Sequence, residues 1–219
     1  MPSSTEENYL KQILVESIQT GFTEVAMGKV AECLEVTPGT ATTMMKSLEK
    51  KGWLKYRPRK GVKLTSSGKK VGMNVLRRHR LLETFLVETL GLDWSEIHDE
   101  AEELEHAISE KVLEKLDEFL GRPSHDPHGD PIPTKQGNMP KVSNSNLLDC
   151  GQGDCVRIES IQDQCKEFLH FARKNKLLPG IKIEVISHDR VADTMELRVA
   201  QKTLLNLGSK TAEKIIIRK

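Results

Sequence analysis

Residues 122–146 divide this chain into two kinds of sequence. The stretch is rich in Pro, Gly, Asn and Ser, has neither a helical nor a strand period, and reads as a linker. Before it, apolar residues recur at helical spacing in successive segments. Beyond it, residues 154–161, 181–186, 195–199 and 214–218 alternate apolar and polar side chains as short strands do, with one helix at about 164–175 among them. Several short strands and one helix within about 70 residues predict a small β-barrel. The expected fold class is therefore mainly α with a small β domain. A chain of 219 residues suits two or three compact modules. Their expected bounds are 1–72, 73–142 and 143–219.

The first module follows a recognisable order. Thr5 precedes Glu6 and Glu7 as a helix cap would, and Tyr9, Leu10, Ile13, Leu14 and Ile18 form an apolar stripe that Gly21 ends. A short helix from Met27 to Leu34, a turn at residues 35–39 and a third helix from Thr40 to Lys51 follow. Two alternating segments, residues 53–56 and 62–65, flank a basic tip at residues 57–61. Helix, turn, helix and basic hairpin make a winged helix-turn-helix. In such a unit Thr37, Pro38, Gly39, Thr40, Thr42 and Thr43 begin the helix that enters the major groove of double-stranded DNA. No Arg stands there, so bidentate reading of guanine by this helix end is not expected. Lys46, Lys50, Arg57, Arg59 and Lys60 are expected phosphate contacts, which supply affinity rather than sequence choice.

Charge supports this division of labour. The formal net charge of +1 hides 15 basic and 7 acidic residues in 1–80, against 3 basic and 15 acidic residues in 81–130. A basic head suits a polyanion and an acidic middle suits cations. No secretory leader or membrane-spanning run is recognised, and Cys33, Cys150, Cys155 and Cys165 are too scattered for a disulfide framework. A cytoplasmic protein with reduced thiols, and no membrane partner, is expected.

A long helical stretch is read from about Lys69 to Leu90, followed by helices at about Ser95–Ile108 and from Ser109 to Leu120. His79 and Glu83 stand four apart on the first, and Glu102 and His106 four apart on the second, with Glu105 on nearly the same face. Converging carboxylates and imidazoles suit a divalent first-row transition metal. Leu104, Ile108, Val112, Leu116 and Phe119 recur at helical spacing, as either a dimer contact or intrachain core.

Residues 5–10, the winged helix, His79-Arg-Leu-Leu-Glu83, residues 98–106 and Asp126-Pro-His-Gly-Asp-Pro-Ile-Pro133 together resemble the diphtheria-toxin-repressor and manganese-transport-regulator family, in order and over nearly the whole chain. The C-terminal module resembles a FeoA, SH3-like β-barrel. The resemblance implies a homodimeric repressor that binds operator DNA when loaded with Mn(II) or Fe(II) and controls metal-uptake genes, with residues 73–142 as a helical metal-binding and dimerisation domain. It implies a primary metal site of Glu102, Glu105 and His106, with His79 and the position of Asn8. A glutamate at 102, where iron-type members have a sulfur ligand, points to Mn(II), with Fe(II) the alternative. A second site would use Glu83, Asp126, His128 and Asp163; the competing assignment joins His98 to His79 and Glu83. No H-E-x-x-H motif is present, so a metallohydrolase is not expected. A winged-helix sensor of a small organic ligand is the remaining rival.

Overall fold

The computed structural model of the chain describes every residue except Met1, Lys141, Val142, Asn144, Gln164, Lys202 and Lys219. The chain divides into two compact units, residues 1–79 with 133–138 and residues 80–132 with 139–219.

In the first unit, α1 (Ser4–Thr20) is capped by Ser3 rather than by Thr5. The Ser3 hydroxyl accepts from the Glu6 N–H while the Glu6 carboxylate accepts from the Ser3 N–H, a reciprocal box that satisfies two otherwise unpaired donors. Tyr9, Leu10, Ile13 and Leu14 are buried as the stripe predicts, and Gly21 closes the helix in the left-handed conformation. α2 (Met27–Cys33) and α3 (Pro38–Lys50) follow. Thr37 caps α3 through the Thr40 N–H, with Pro38 in the first turn, where its missing N–H costs nothing. Ala41, Met45 and Leu48 carry the buried face of α3.

β1 (Leu54–Arg57) pairs antiparallel with β2 (Gly61–Leu64), Leu54 opposite Leu64. The wing is complete. It is fastened to the preceding segment by reciprocal backbone hydrogen bonds between Val25 and Val62, both 2.8 Å. α4 (Ser66–Glu88) begins in this unit. A Cβ on Gly72 would lie 2.8 Å from the Leu10 carbonyl oxygen, so α4 and α1 pack with their backbones nearly in contact.

The second unit starts within α4 and continues through α5 (Ile97–Leu104) and α6 (Glu110–Phe119). Leu82 and Leu86 of α4 pack with Ile97 and Ala101 of α5, and Leu81 packs with Leu113 and Ile132. α5 is shorter than the acidic run suggests. It ends at Leu104, leaving Glu105 at its C-cap and His106 in the following turn. The apolar series of the middle helices splits in two: Ile108 and Leu116 join intrachain clusters, whereas Leu104, Val112 and Phe119 are exposed.

Residues 124–132 are not a simple linker. His125 bridges to Pro131, and Asp126, His128, Asp130 and Ile132 are all buried. A 3-10 turn at Leu147–Asp149 leads into β3 (Cys155–Ile161), α7 (Lys166–Lys174), β4 (Lys182–Asp189), β5 (Thr194–Val199), β6 (Thr203–Gly208), α8 (Ser209–Ala212) and β7 (Ile215–Arg218). The strands make one antiparallel sheet in the order β6-β5-β4-β3-β7. Its inner face, with Leu169, Ala172 and Leu177, forms a core that also takes Trp94.

The β-barrel expected from the alternation is not closed. Closure needs the outer edge of β7 to meet β6, but that edge is already engaged: the Ile217 N–H donates to the Ser145 carbonyl, the Ile217 carbonyl accepts from the Ser143 hydroxyl, and Asn146 bridges to Ile216. β6 was not anticipated in the sequence. Its leucines do not alternate cleanly, and the turn before it puts Ala200 and Gln201 at positive φ without a glycine to announce it.

Candidate metal centre and nucleic-acid interface

The first unit presents the start of α3 to solvent. Thr37, Pro38, Gly39, Thr40, Thr43 and Lys46 are exposed, with Thr42 half-buried. The Thr42 hydroxyl donates to the Pro38 carbonyl at 2.7 Å and that of Thr43 to the Gly39 carbonyl at 3.0 Å. With their protons spent on the helix, these hydroxyls remain available only as acceptors beside exposed methyl groups. At the wing tip Arg57, Arg59 and Lys60 are exposed, as is Lys50 at the other end of α3. The Lys60 N–H donates to the Arg57 carbonyl, and Arg59 sits at φ 65°. Pro58 followed by a positive φ is the pattern of a type II turn, where glycine is the relaxed choice. An arginine there accepts strain to put a cation at the tip.

In the second unit a group of acids and imidazoles gathers around Glu83, which has no exposed surface. One oxygen, Oε1, lies 3.7 Å from Nδ1 of His98, and the other, Oε2, lies 3.8 Å from Nδ1 of His128. The two rival second-site assignments therefore share one carboxylate. His98 Nε2 is 3.8 Å from Glu102 Oε1, and His106 Nε2 is 3.4 Å from Glu105 Oε1. Glu105 is fully buried, and His98 is 39% exposed.

The Asp-Pro-His-Gly turn is held rigidly. Asp126 Oδ1 accepts from the backbone N–H groups of His128 and Asp130, at 2.8 and 3.0 Å. The His128 carbonyl accepts from the Ile161 N–H at the end of β3. Gly129, at φ 88°, passes so close to Glu159 that a Cβ would lie 2.0 Å from its carbonyl oxygen. Glycine is required there twice over, for conformation and for space.

Asp126 Oδ2 and His128 Nδ1 are buried and make no hydrogen bond. Oδ2 lies 3.4 Å from Nε of Arg80, whose guanidinium also faces Asp130 at 3.3 Å and donates to the Pro131 carbonyl. Burial, with Asp130 and Glu83 nearby, pushes the Asp126 carboxyl well above the usual carboxylate range, against the pull of Arg80 and His128. Burial opposes a charged His128, but the Glu83 carboxylate, with Asp126 and the Trp94 carbonyl, outweighs it and raises the imidazole to about 9.

Ligand atoms of Glu83, Asp126 and His128 all lie within 4.8 Å of one another. His128 Nε2 is 2.9 Å from the Trp94 carbonyl, which can only accept, so Nε2 keeps its proton and Nδ1, facing the carboxylates, is the nitrogen that a cation would deprotonate and bind. Two hard oxygen donors and one pre-oriented nitrogen fit a divalent cation such as Mn(II) or Fe(II).

Other expected ligands are placed as follows. His79 is buried on α4, one turn before Glu83, and Asn8 is half-buried on α1. The Asp163 carboxylate is engaged by Lys214 Nζ and by the Cys165 N–H. The sequence did not single out Arg80, Asp130 or the Trp94 carbonyl; only the i,i+3 spacing of Arg80 and Glu83 hinted at the first. Among the described residues no two cysteines form a disulfide; Cys150 is buried and Cys33, Cys155 and Cys165 are exposed.

Comparison with known proteins agrees in every part of the chain. Residues 1–62 match the N-terminal DNA binding domain of iron dependent repressors, residues 65–134 their metal binding and dimerisation domain, and residues 146–219 the FeoA domain. The iron-dependent repressor IdeR of Mycobacterium leprae is 34% identical over 149 residues, covering 68% of this chain and 59% of that protein. The chain thus aligns with about three fifths of the length of this curated relative. A manganese-dependent transcriptional repressor in complex with manganese superposes with a TM-score of 0.85 at 33% identity, over 94% of this chain and 98% of the other. The manganese regulator SloR gives 0.82 at 27% identity, over 98% of each chain. With a winged helix, a buried acid-imidazole cluster and these matches end to end, the chain belongs to the diphtheria-toxin-repressor and manganese-transport-regulator family of metal-dependent transcriptional repressors, and carries its C-terminal FeoA domain.

Proposed function

We propose that this protein is a cytoplasmic, homodimeric repressor that binds double-stranded operator DNA when loaded with Mn(II), and so controls metal-uptake genes. The observation that carries the metal assignment is the buried set Glu83, Asp126 and His128, with His128 Nδ1 already turned inward by the hydrogen bond of Nε2 to the Trp94 carbonyl. Oxygen donors where sulfur would select softer ions favour Mn(II); Fe(II) is the alternative reading of the same donors.

The primary site in this proposal is Glu102, Glu105 and His106, with His79 and the position of Asn8, whose neutral amide is a weak ligand and suits a bond to a metal-bound water. For the second site we favour Glu83, Asp126 and His128 over His98, because the former are fully enclosed and His98 is partly exposed. Asp163 would join only by leaving Lys214. A bound divalent cation supplies the charge that lets several carboxylates share one small volume. Operator contacts fall to Thr37, Pro38, Gly39, Thr40, Thr42, Thr43, Lys46, Arg57, Arg59 and Lys60. The exposed Leu90, Leu104, Val112 and Phe119 supply an apolar surface suited to a second copy of the chain. We read the C-terminal sheet as an opened SH3-like barrel. Among the described residues no helix is long and apolar enough to cross a membrane.

The test is recovery of genomic fragments on the purified protein in chelated, Mn(II)-loaded and anaerobic Fe(II)-loaded arms. Metal-dependent enrichment of a few palindromic promoter fragments is expected, strongest with Mn(II). Equal enrichment in the chelated arm would overturn the metal-sensing reading.

A further inference from the structure

Lys11 is one of the few lysines withdrawn from solvent. On α1 it is 6% exposed, and its Nζ lies 3.5 Å from Nδ1 of His79 on α4 within the same unit. Burying an ammonium is costly unless it is paired, and the His79 imidazole is one of its partners. An ammonium has three donors and no acceptor. Nδ1 of the neutral His79 ring therefore meets it with its lone pair, and the ring proton is on Nε2.

That tautomer conflicts with metal binding at either nitrogen. A metal binds imidazole through a nitrogen that carries no proton. At Nδ1 it needs the lone pair that Lys11 occupies. At Nε2 it needs the ring proton moved to Nδ1, where two N–H donors would then face each other. By either route, coordination by His79 and the Lys11 contact exclude one another.

We propose that Lys11 is an internal cation that holds His79 when no metal is bound and is expelled from it on loading, so that it sets the metal concentration at which the protein responds. The proposal rests on the reading of His79 as a ligand. It needs a route for the displaced charge, and the four-carbon stem provides one, since such a stem can stay packed while its head moves to water. It also links loading to α1. Lys11 adjoins Leu10, whose carbonyl is in near contact with Gly72 of α4, and Asn8 stands three residues earlier on the same helix. A change at Lys11 is therefore next to a point of near contact between the two helices.

The test uses the full chain with Mn(II) as the probe. Lys11→Met keeps an unbranched apolar stem and removes the charge. Chelator competition should show this variant binding Mn(II) on the order of ten-fold tighter than the parent, with half-maximal operator binding at correspondingly lower Mn(II). Nitrogen NMR of the metal-free parent should place the His79 proton on Nε2, and Lys11→Met should lose that preference. Unchanged or weaker Mn(II) affinity in a folded Lys11→Met protein would overturn the proposal. So would a His79 proton found on Nδ1 in the parent, whether or not the variant folds. His79→Ala separates the two readings. If it binds Mn(II) like the parent, the ligand assignment of His79 fails and the Lys11 proposal with it. If it loses a site while Lys11→Met is unchanged, only the Lys11 proposal fails.

Discussion

His128 donates its Nε2 proton to the backbone carbonyl of Trp94 at 2.9 Å, and the two rings lie 5.2 Å apart. This one bond orients the imidazole, keeps a proton on Nε2 and leaves Nδ1 facing Glu83. The Trp94 carbonyl is reached from 34 residues away in sequence, and Trp94 is itself part of the core under the C-terminal sheet. The proposed second metal site is thus oriented by a group that is not among its ligands.

If that reading holds, Asp126→Asn and His128→Ala should each lower the Mn(II) stoichiometry by one ion per chain, whereas His98→Ala should leave it unchanged. Atomic absorption on dialysed protein decides between the two assignments. Loss of an ion in the His98 variant alone would reverse our preference.

Gly129→Ala should be disruptive well beyond one methyl group. The added carbon meets the Glu159 carbonyl oxygen at 2.0 Å and the backbone is in the left-handed region. A cost of about 2–4 kcal/mol is expected from strain and backbone displacement. Chemical denaturation measures it, and Mn(II) affinity should fall with it because His128 is the preceding residue.

Arg59→Gly should separate stability from DNA affinity. Relaxing φ 65° at the wing tip should stabilise the protein by about 0.5–1 kcal/mol. Operator binding should weaken, and the slope of log affinity against log salt should shrink by about 1. Titrations at several salt concentrations, beside thermal melts, test both halves.

Asp93 supplies a pH signature in the second unit. Burial alone would raise its carboxyl, but the N–H and hydroxyl of Ser95 and the Arg173 guanidinium bring it down to about 2. A folded-state value below the unfolded one, about 4, stabilises the protein above pH 4, and this stabilisation is lost as pH falls towards 2. Asp93→Asn should therefore cost on the order of 1 kcal/mol at pH 7, the exposure of the pair limiting the effect. The gap between variant and parent should close as unfolding is measured from pH 4 down to 2.

Much of the first unit was legible in the chain because its signals are local. Apolar spacing, Pro38 and the basic tip around Pro58 each act within a few residues, and they placed α1, α3 and the wing. The cap of α1 was misplaced by two residues, since Ser3 and Thr5 are equally competent caps and only the reciprocal bond of Glu6 with Ser3 selects one. Metal-ligand candidates were legible as residue types at helical spacing, and the ordered motifs tied them to a family.

By itself, then, the sequence determined the order of the modules, the chemistry of the donor atoms and the helices that carry most of them. Tertiary structure alone decided three things. It turned residues 124–132 of the Pro- and Gly-rich stretch into a buried turn, because hydrogen bonds accepted by Asp126 and donated by Ile161 replace the water a linker would keep. It left the C-terminal barrel open, because Ser143, Ser145 and Asn146 engage the edge of β7. It set Lys11 against His79 and the Trp94 carbonyl against His128. Those pairings join residues 68 and 34 positions apart, and no local periodicity encodes which lone pair faces which proton.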